Sequence, residues 1–295
     1  EPLDFKVAFK NISEANFDSL RVKMILTDRN NVPHIVPIPR RRPLPAADTI
    51  QAGALINTST LPGANTLFIE ANPDADQPEQ YHFNNFCELN FGTIGDKINP
   101  LLDVTFDNQH ILNNDIVSAK PNILITLKDE NKYLALDSSS LIDVYIQYPG
   151  AAEPTKMVYD NVIMKFYPAD ANNLQHGNKA QVELKPTFTV DGTYELLVKD
   201  RDRSGNASAT TDRYQGNNPA TFFDYKTDFQ VITKPMITNV LNYPNPFTTS
   251  TRFVFTITGS EVPDFMKIQI INIKGTVVKE IFKDELGPLH VGRNM

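Results

Sequence analysis

The apolar residues of this chain return at every second position, and never for long. Leu20-Arg21-Val22-Lys23-Met24-Ile25-Leu26, Ile123-Leu124-Ile125-Thr126-Leu127 and Asp143-Val144-Tyr145-Ile146-Gln147-Tyr148 show this spacing. Successive side chains of a β-strand point to opposite faces, so a period of two turns one face to a core and the other to water. An amphipathic helix needs a period of 3.6, and no Ala/Leu/Glu/Lys-rich helical run is present. Turn-forming clusters separate the runs: Asp28-Arg29-Asn30-Asn31, Pro62-Gly63, Asn72-Pro73-Asp74 and Lys128-Asp129-Glu130-Asn131. Short alternating runs between turns are what two sheets packed face to face require. The predicted fold class is all-β, a tandem of β-sandwich modules.

With 295 residues and about 100–200 residues per domain, two or three modules are expected. Hydrophobic residues make up 41%, enough for real cores, and 21 prolines outnumber 13 glycines, which favours short strands over helices. The net charge of −7 argues against nucleic-acid or anionic-membrane partners, which need basic surface. Arg40-Arg41-Arg42 lies among Pro37, Pro39, Pro43 and Pro45 and reads as a solvated, extended loop. No apolar run approaches membrane-spanning length. The chain starts directly in an alternating strand, without a basic, then apolar, leader. It reads as a piece of something longer.

Three segments follow from the turns and linkers: 1–98, 99–234 and 235–295. The first holds alternating runs at Phe5 to Phe9, Leu20 to Leu26 and Asn65 to Glu70. The second holds about seven, including Val162 to Tyr167, Gly192 to Val198 and Asp224 to Val231. The third, after Lys234-Pro235, has Phe253 to Thr258, Met266 to Ile273 and Val277 to Ile281, with a Lys274-Gly275 hairpin signal. Three or four strands make a poor sandwich, so this last module is expected to be incomplete. Before Phe253 comes Tyr243-Pro244-Asn245-Pro246-Phe247. Two prolines fix φ and remove two ladder donors. The stretch is expected to act as a hinge, with Tyr243 and Phe247 pinning the linker onto the new core.

These residues carry resemblances to known families. Lys10-Asn11-Ile12-Ser13 after a strand, followed by a long alternating strand and a late Asn84-Asn85, resembles the adhesion-related modules called CARDB. Gly192-Thr193-Tyr194-Glu195-Leu196, then Asp200 and Ser204-Gly205-Asn206, resembles the ending of bacterial immunoglobulin-like modules. Asn242 to Phe247, Arg252-Phe253-Val254-Phe255, Lys267-Ile268-Gln269-Ile270 and Lys274-Gly275-Thr276-Val277-Val278 resemble the C-terminal sorting domain of the type IX secretion system of Bacteroidota. That family continues with a Trp-Asp-Gly segment and a final Gly-x-Tyr strand. This sequence has neither, and no Trp at all. The run from Asn99 to Asp107, with Ser118 to Pro121 and Leu127 to Lys132, is similar to the region preceding such sorting domains, often downstream of a gingipain-like cysteine peptidase. The resemblance implies immunoglobulin-like sandwiches, delivery to the surface or medium through the periplasm, and as partners type IX or outer-membrane components and other domains of the parent chain. Tyr243, Pro244, Asn245, Pro246 and Phe247 become the implied sorting or recognition residues.

Two loops have the composition of a weak Ca²⁺ site. Asp200-Arg201-Asp202-Arg203-Ser204-Gly205-Asn206 spaces oxygen ligands around a glycine, with Asp200, Asp202 and Asn206 as candidates; Asn72 to Glu79 offers Asp74 and Asp76. An EF-hand would want an acid at its twelfth position, and Asp212 stands one residue beyond it. The same residue types also cap tight turns, and both readings stand. Cys87 is the single cysteine; a strand would put it opposite His82, so it reads as a structural thiol rather than a nucleophile. The five histidines show no zinc spacing, and there is no nucleophile elbow or phosphate loop. The expected role is non-catalytic: spacing and sorting or recognition in a secreted protein. Alternatives are a glycan- or surface-polymer-binding adhesin module, with Tyr159, Tyr167 and Tyr214 as platforms, and an accessory part of a secreted cysteine peptidase.

Overall fold

The structure, a computed structural model, describes residues 2–209, 213–215 and 221–295. It is all-β, with 46% of residues in strands and no α-helix among the described residues. The chain divides into two compact units, Glu1–Lys97 and Ile98–Met295. Residues 235–295 thus share a unit with the segment before them.

The first unit contains β1 (Leu3–Lys10), β2 (Val22–Thr27), β3 (Pro33–Val36), β4 (Thr49–Ile56), β5 (Gly63–Ala71) and β6 (Phe86–Thr93). One sheet is β1-β4 and the other β3-β2-β5-β6, all antiparallel. Their inward residues meet in one core: Val22, Met24 and Leu26 of β2, Leu67 and Ile69 of β5, and Ile50, Ala52 and Ile56 of β4. The alternation seen in the sequence is therefore the alternation of core and solvent. β4 escapes that pattern because its middle, Ala52-Gly53-Ala54, has little side chain to alternate. The missing Cβ of Gly53 is a requirement of packing, since one would lie 2.6 Å from the Phe5 carbonyl oxygen.

The second unit begins with β7 (Leu101–Phe106), β8 (Asp115–Val117), β9 (Ile123–Asp129), β10 (Ile142–Gln147), β11 (Thr155–Lys156), β12 (Met164–Tyr167), β13 (Asn178–Leu184) and β14 (Gly192–Asp200). A short pair, β15 (Tyr214–Gln215) and β16 (Phe222–Phe223), precedes β17 (Tyr225–Val231). Sheets β11-β10-β14-β17-β8 and β12-β13-β9-β7 share one core. An aromatic cluster occupies its centre. Tyr194 of β14 stacks on Phe229 of β17 (5.7 Å between centroids, 13° between planes) and meets Phe188 at 4.4 Å; Phe106 of β7 reaches Phe229 at 5.2 Å. The Tyr194 hydroxyl is not stranded there, because it donates to the Val190 carbonyl at 2.8 Å. A core tyrosine bonded back to its own upstream backbone is the corner arrangement of immunoglobulin-like sandwiches.

The unit continues with β18 (Met236–Tyr243), β19 (Arg252–Thr258), β20 (Lys267–Ile271), β21 (Val277–Phe282) and β22 (Gly292–Asn294), in a three-stranded sheet β18-β19-β22 and a hairpin β20-β21. β18 was not foreseen. A bulge between Thr238 and Leu241, with Asn239 at φ +54°, breaks its two-residue period. The proline stretch accordingly sits after β18, in the connection to β19, and the ladder runs up to it: Tyr243 pairs with Arg252. It does not open the segment as a hinge. The segment is fastened elsewhere. Ala119 N–H donates to Gly259 O (3.0 Å), Gly259 N–H to Ile232 O (2.9 Å) and the Ser118 hydroxyl to Ser260 O (2.6 Å). Gly292, at φ +111°, lies so close to β8 that a Cβ would stand 2.6 Å from Ile116 O.

Truncating the aromatic centre should expose how far the second unit depends on it. Phe229→Ala is expected to cost about 3–5 kcal/mol, and Tyr194→Phe about 1–2 kcal/mol for the carbonyl left unpaired. Urea unfolding followed by tyrosine fluorescence checks both; a loss under half a kcal/mol for Phe229→Ala would be inconsistent with a central role.

Candidate functional site

Strand β14 ends in Asp200, and the chain returns through Arg213 to Asp224 at the start of β17. Asp200 and Asp224 are 5% and 7% exposed. The Asp200 backbone N–H donates to Asp224 Oδ2 at 3.0 Å, and Arg213 Nε donates to Asp224 Oδ1 at 2.8 Å. Asp200 Oδ1 accepts from Ser208 N–H at 2.9 Å, while its Oδ2 is buried without a hydrogen-bond partner among the described residues. Burial pushes the Asp200 carboxyl up to about 6, the Asp224 charge pushes the same way, and Ser208 and Arg213 oppose them. A cavity of about 320 Å³ opens beside this pair, lined by Asp143, Lys199, Asp200, Arg213, Phe222 and Asp224.

Of the three oxygen ligands foreseen in this loop, two come together. Asp202 Oδ1 accepts Asn206 N–H and its Oδ2 accepts Asn206 Nδ2, both at 2.8 Å, while Asp202 N–H donates to Asn206 O. Asp202 is 2% exposed, and a carboxylate oxygen of Asp129 lies within 4.8 Å of one of its own. The loop is thus closed as an Asx-type turn. Asp200 faces Asp224 instead. Asp212 lies outside the described residues. Asp224 and Arg213 were missed by sequence reasoning, although an acid set inside Phe222-Phe223-Asp224-Tyr225 was the available signal: an acid amid aromatics needs a buried partner.

In the first unit the acidic loop meets the arginines. Arg21 pairs with Asp74, and Arg40 Nη2 donates to Asp76 Oδ2 at 2.6 Å. Arg40 holds the Asp76 carboxyl below its ordinary value. The loop is braced from within, as Asn72 Nδ2 reaches Gln77 O and Glu79 Oε2 and Asn85 Nδ2 donates to the same Glu79 oxygen at 2.6 Å. Cys87 lies on β6, half-buried against the core, and burial raises its thiol. His82 sits in the turn before β6 and contacts Glu79 at 3.2 Å.

The recognition candidates are exposed. Tyr243 is 70% and Phe247 52% accessible, so they do not pin the segment onto a core as the sequence suggested. The bonds Tyr243–Pro244 and Asn245–Pro246 are both cis. The Thr251 hydroxyl closes the connection by donating to Pro244 O at 2.9 Å. Among the platform candidates, Tyr159 packs against the core with its hydroxyl donating to Ile142 O (2.7 Å), and burial raises it. It is only partly exposed, which limits it as a platform. Tyr167 and Tyr214 remain exposed, on β12 and β15.

No protein-family model matches the chain, and no curated protein matches it. Among solved structures it is similar to dimeric latent PorU from Porphyromonas gingivalis, with 14% identity and a TM-score of 0.30 over 95% of this chain. The match covers 25% of the PorU chain, so this sequence spans about a quarter of that protein's length.

The Asp200 geometry sets a pH dependence. A carboxyl whose folded value lies above its unfolded one favours the folded state when protonated, so that contribution is present in acid and is lost as pH rises through about 6. The shift from 3.8 to about 6 corresponds to a loss on the order of 3 kcal/mol. Asp200→Asn, which keeps the neutral shape, should flatten the stability profile between those values. Chemical denaturation at a series of pH values tests it, and an unchanged slope in the variant would contradict the assignment.

Proposed function

We propose that this chain forms non-catalytic modules of a large secreted or cell-surface protein, and that residues 235–295 serve recognition and sorting by a type IX secretion apparatus. The observation that carries this reading is the unpaired apolar sheet surface at the C-terminal segment. The β20-β21 hairpin has no further strand on either side among the described residues, and β18 is an outer strand. Val240, Phe265, Ile273 and Val278 stand in the open. A groove of about 610 Å³, lined by Val262, Phe265, Met266, Phe282 and Leu289, lies beside the hairpin. Exposed sheet edges and apolar faces of this kind are liabilities unless something covers them. A partner that adds a strand gains affinity from main-chain hydrogen bonds and specificity from alternate side chains. Tyr243 to Phe247 present a fixed aromatic and proline surface beside that edge. The sandwich modules ahead act as a spacer.

A second reading, an adhesin-type module, is favoured by one observation. Tyr81 and Phe83 are exposed with ring centroids 5.6 Å apart, and Tyr81 lines a cavity of about 360 Å³ together with Asn84 and Gln80. Aromatic rings beside amides suit a sugar ring.

Deleting residues 236–295 in the native host is expected to leave the protein in the periplasm, while Tyr243→Ala with Phe247→Ala should reduce surface delivery without unfolding the chain. Cell fractionation and surface proteolysis report both. Undiminished surface delivery of the deletion would refute the sorting role, and binding on a glycan array that Tyr81→Ala abolishes would favour the adhesin reading.

A further inference from the structure

We propose that the end of β14 is a weak divalent-cation site, with Asp200 and Asp224 as its carboxylate ligands. The pair is distinct from the Asp202–Asn206 turn, whose oxygens are spent on each other. It is also distinct from the sorting surface, which lies in a different segment.

The argument starts from charge. Asp200 and Asp224, each more than nine-tenths buried, line one cavity, and among the described residues one guanidinium, that of Arg213, is bonded to Asp224. Asp224 uses both oxygens, one on Arg213 and one on the Asp200 N–H. Asp200 Oδ1 accepts from the Ser208 N–H. Its Oδ2 is withdrawn from water and has no hydrogen-bond partner among the described residues. A buried carboxylate oxygen without a donor is costly, and the cost is removed by a proton or by a cation.

The donors decide the class of cation. They are carboxylate oxygens, with neither thiol nor imidazole among the described residues that line the cavity, so the site suits a hard ion rather than zinc or copper. A volume of about 320 Å³ leaves room for an ion that keeps several of its waters, as oxygen-ligated divalent cations do. The remaining charges on the walls are accounted for. Asp143 is paired with Lys156 at 2.9 Å. The Lys199 ammonium lies over the rings of Tyr145 and Phe223, at 5.4 and 5.0 Å from their centroids. Arg213 also packs over Phe222 at 5.8 Å, and Arg201 is exposed. Lys199, Arg201 and Arg213 all oppose an incoming cation, which places the affinity in the weak range of extracellular calcium modules rather than that of calcium sensors. Bound there, the ion fastens the end of β14 to the start of β17.

The test uses the full chain and calcium chloride alone. Thermal unfolding at pH about 7.5 is followed as Ca²⁺ is raised at constant ionic strength, with isothermal titration calorimetry alongside. A saturable rise in Tm is expected, with a midpoint of about 0.1–1 mM. Asp200→Asn should fold and lose that response, because the amide removes the charge without removing bulk. Asp202→Asn should keep it. The proposal is overturned if the wild type shows no saturable rise, if Asp200→Asn responds like the wild type, or if Asp202→Asn alone abolishes the effect.

Discussion

The second unit is organised around the contact between Tyr194 and Phe229. These residues lie on neighbouring strands of one sheet, and Phe106 and Phe188 close on them from beside. Rings this large remove much of the core's apolar surface from water, but Tyr194 carries a hydroxyl that a dry core would penalise. The bond to Val190 resolves the conflict locally. It ties the start of β14 to the chain just before it, so the strand leaves the turn at a defined height and delivers Asp200 to its far end.

Polar side chains do comparable work where the C-terminal segment joins. Thr258 is wholly buried, and its hydroxyl donates to Lys234 O at 2.6 Å while accepting from Met236 N–H. Ser118 reaches across to Ser260. These bonds satisfy backbone groups at the end of the β18-β19 ladder, where Met236 pairs with Thr258, and buried main-chain groups require such partners. The small core behind them, Phe255, Ile257 and Met266, contrasts with the broad apolar area left open on the hairpin side.

Much of the fold is legible in the sequence wherever a strand has one wet and one dry face. β2, β10 and β13 alternate visibly because most of their inward residues are apolar and, Ile25 apart, their clearly outward ones are polar or the half-polar Tyr145. The pattern fails for physical reasons. β4 fills its middle with small residues so that two backbones can approach, and β18 carries a bulge that shifts its phase. β22, three residues long, is too short to show a period. The candidate site was half visible. Asp200 and Asp202 stand out as alternate acids, but which way each points depends on where β14 ends, and Asp224 arrives from a strand that lies far along the chain. For Tyr243 and Phe247 the residue types were informative and their environment was not, because an aromatic beside a proline reads the same whether it covers a core or faces solvent.

Gly292 carries a consequence for how the molecule is made. Its contact with the Ile116 carbonyl joins the last strand of the second unit to one of the first. Contacts between residues so far apart along a chain are slow to form, since the intervening loop must close first. During synthesis, the three-stranded sheet cannot acquire β22 until almost the whole unit has left the ribosome. Until then β19 has an open flank, a window in which a chaperone or an export factor meets a strand edge that the finished fold conceals.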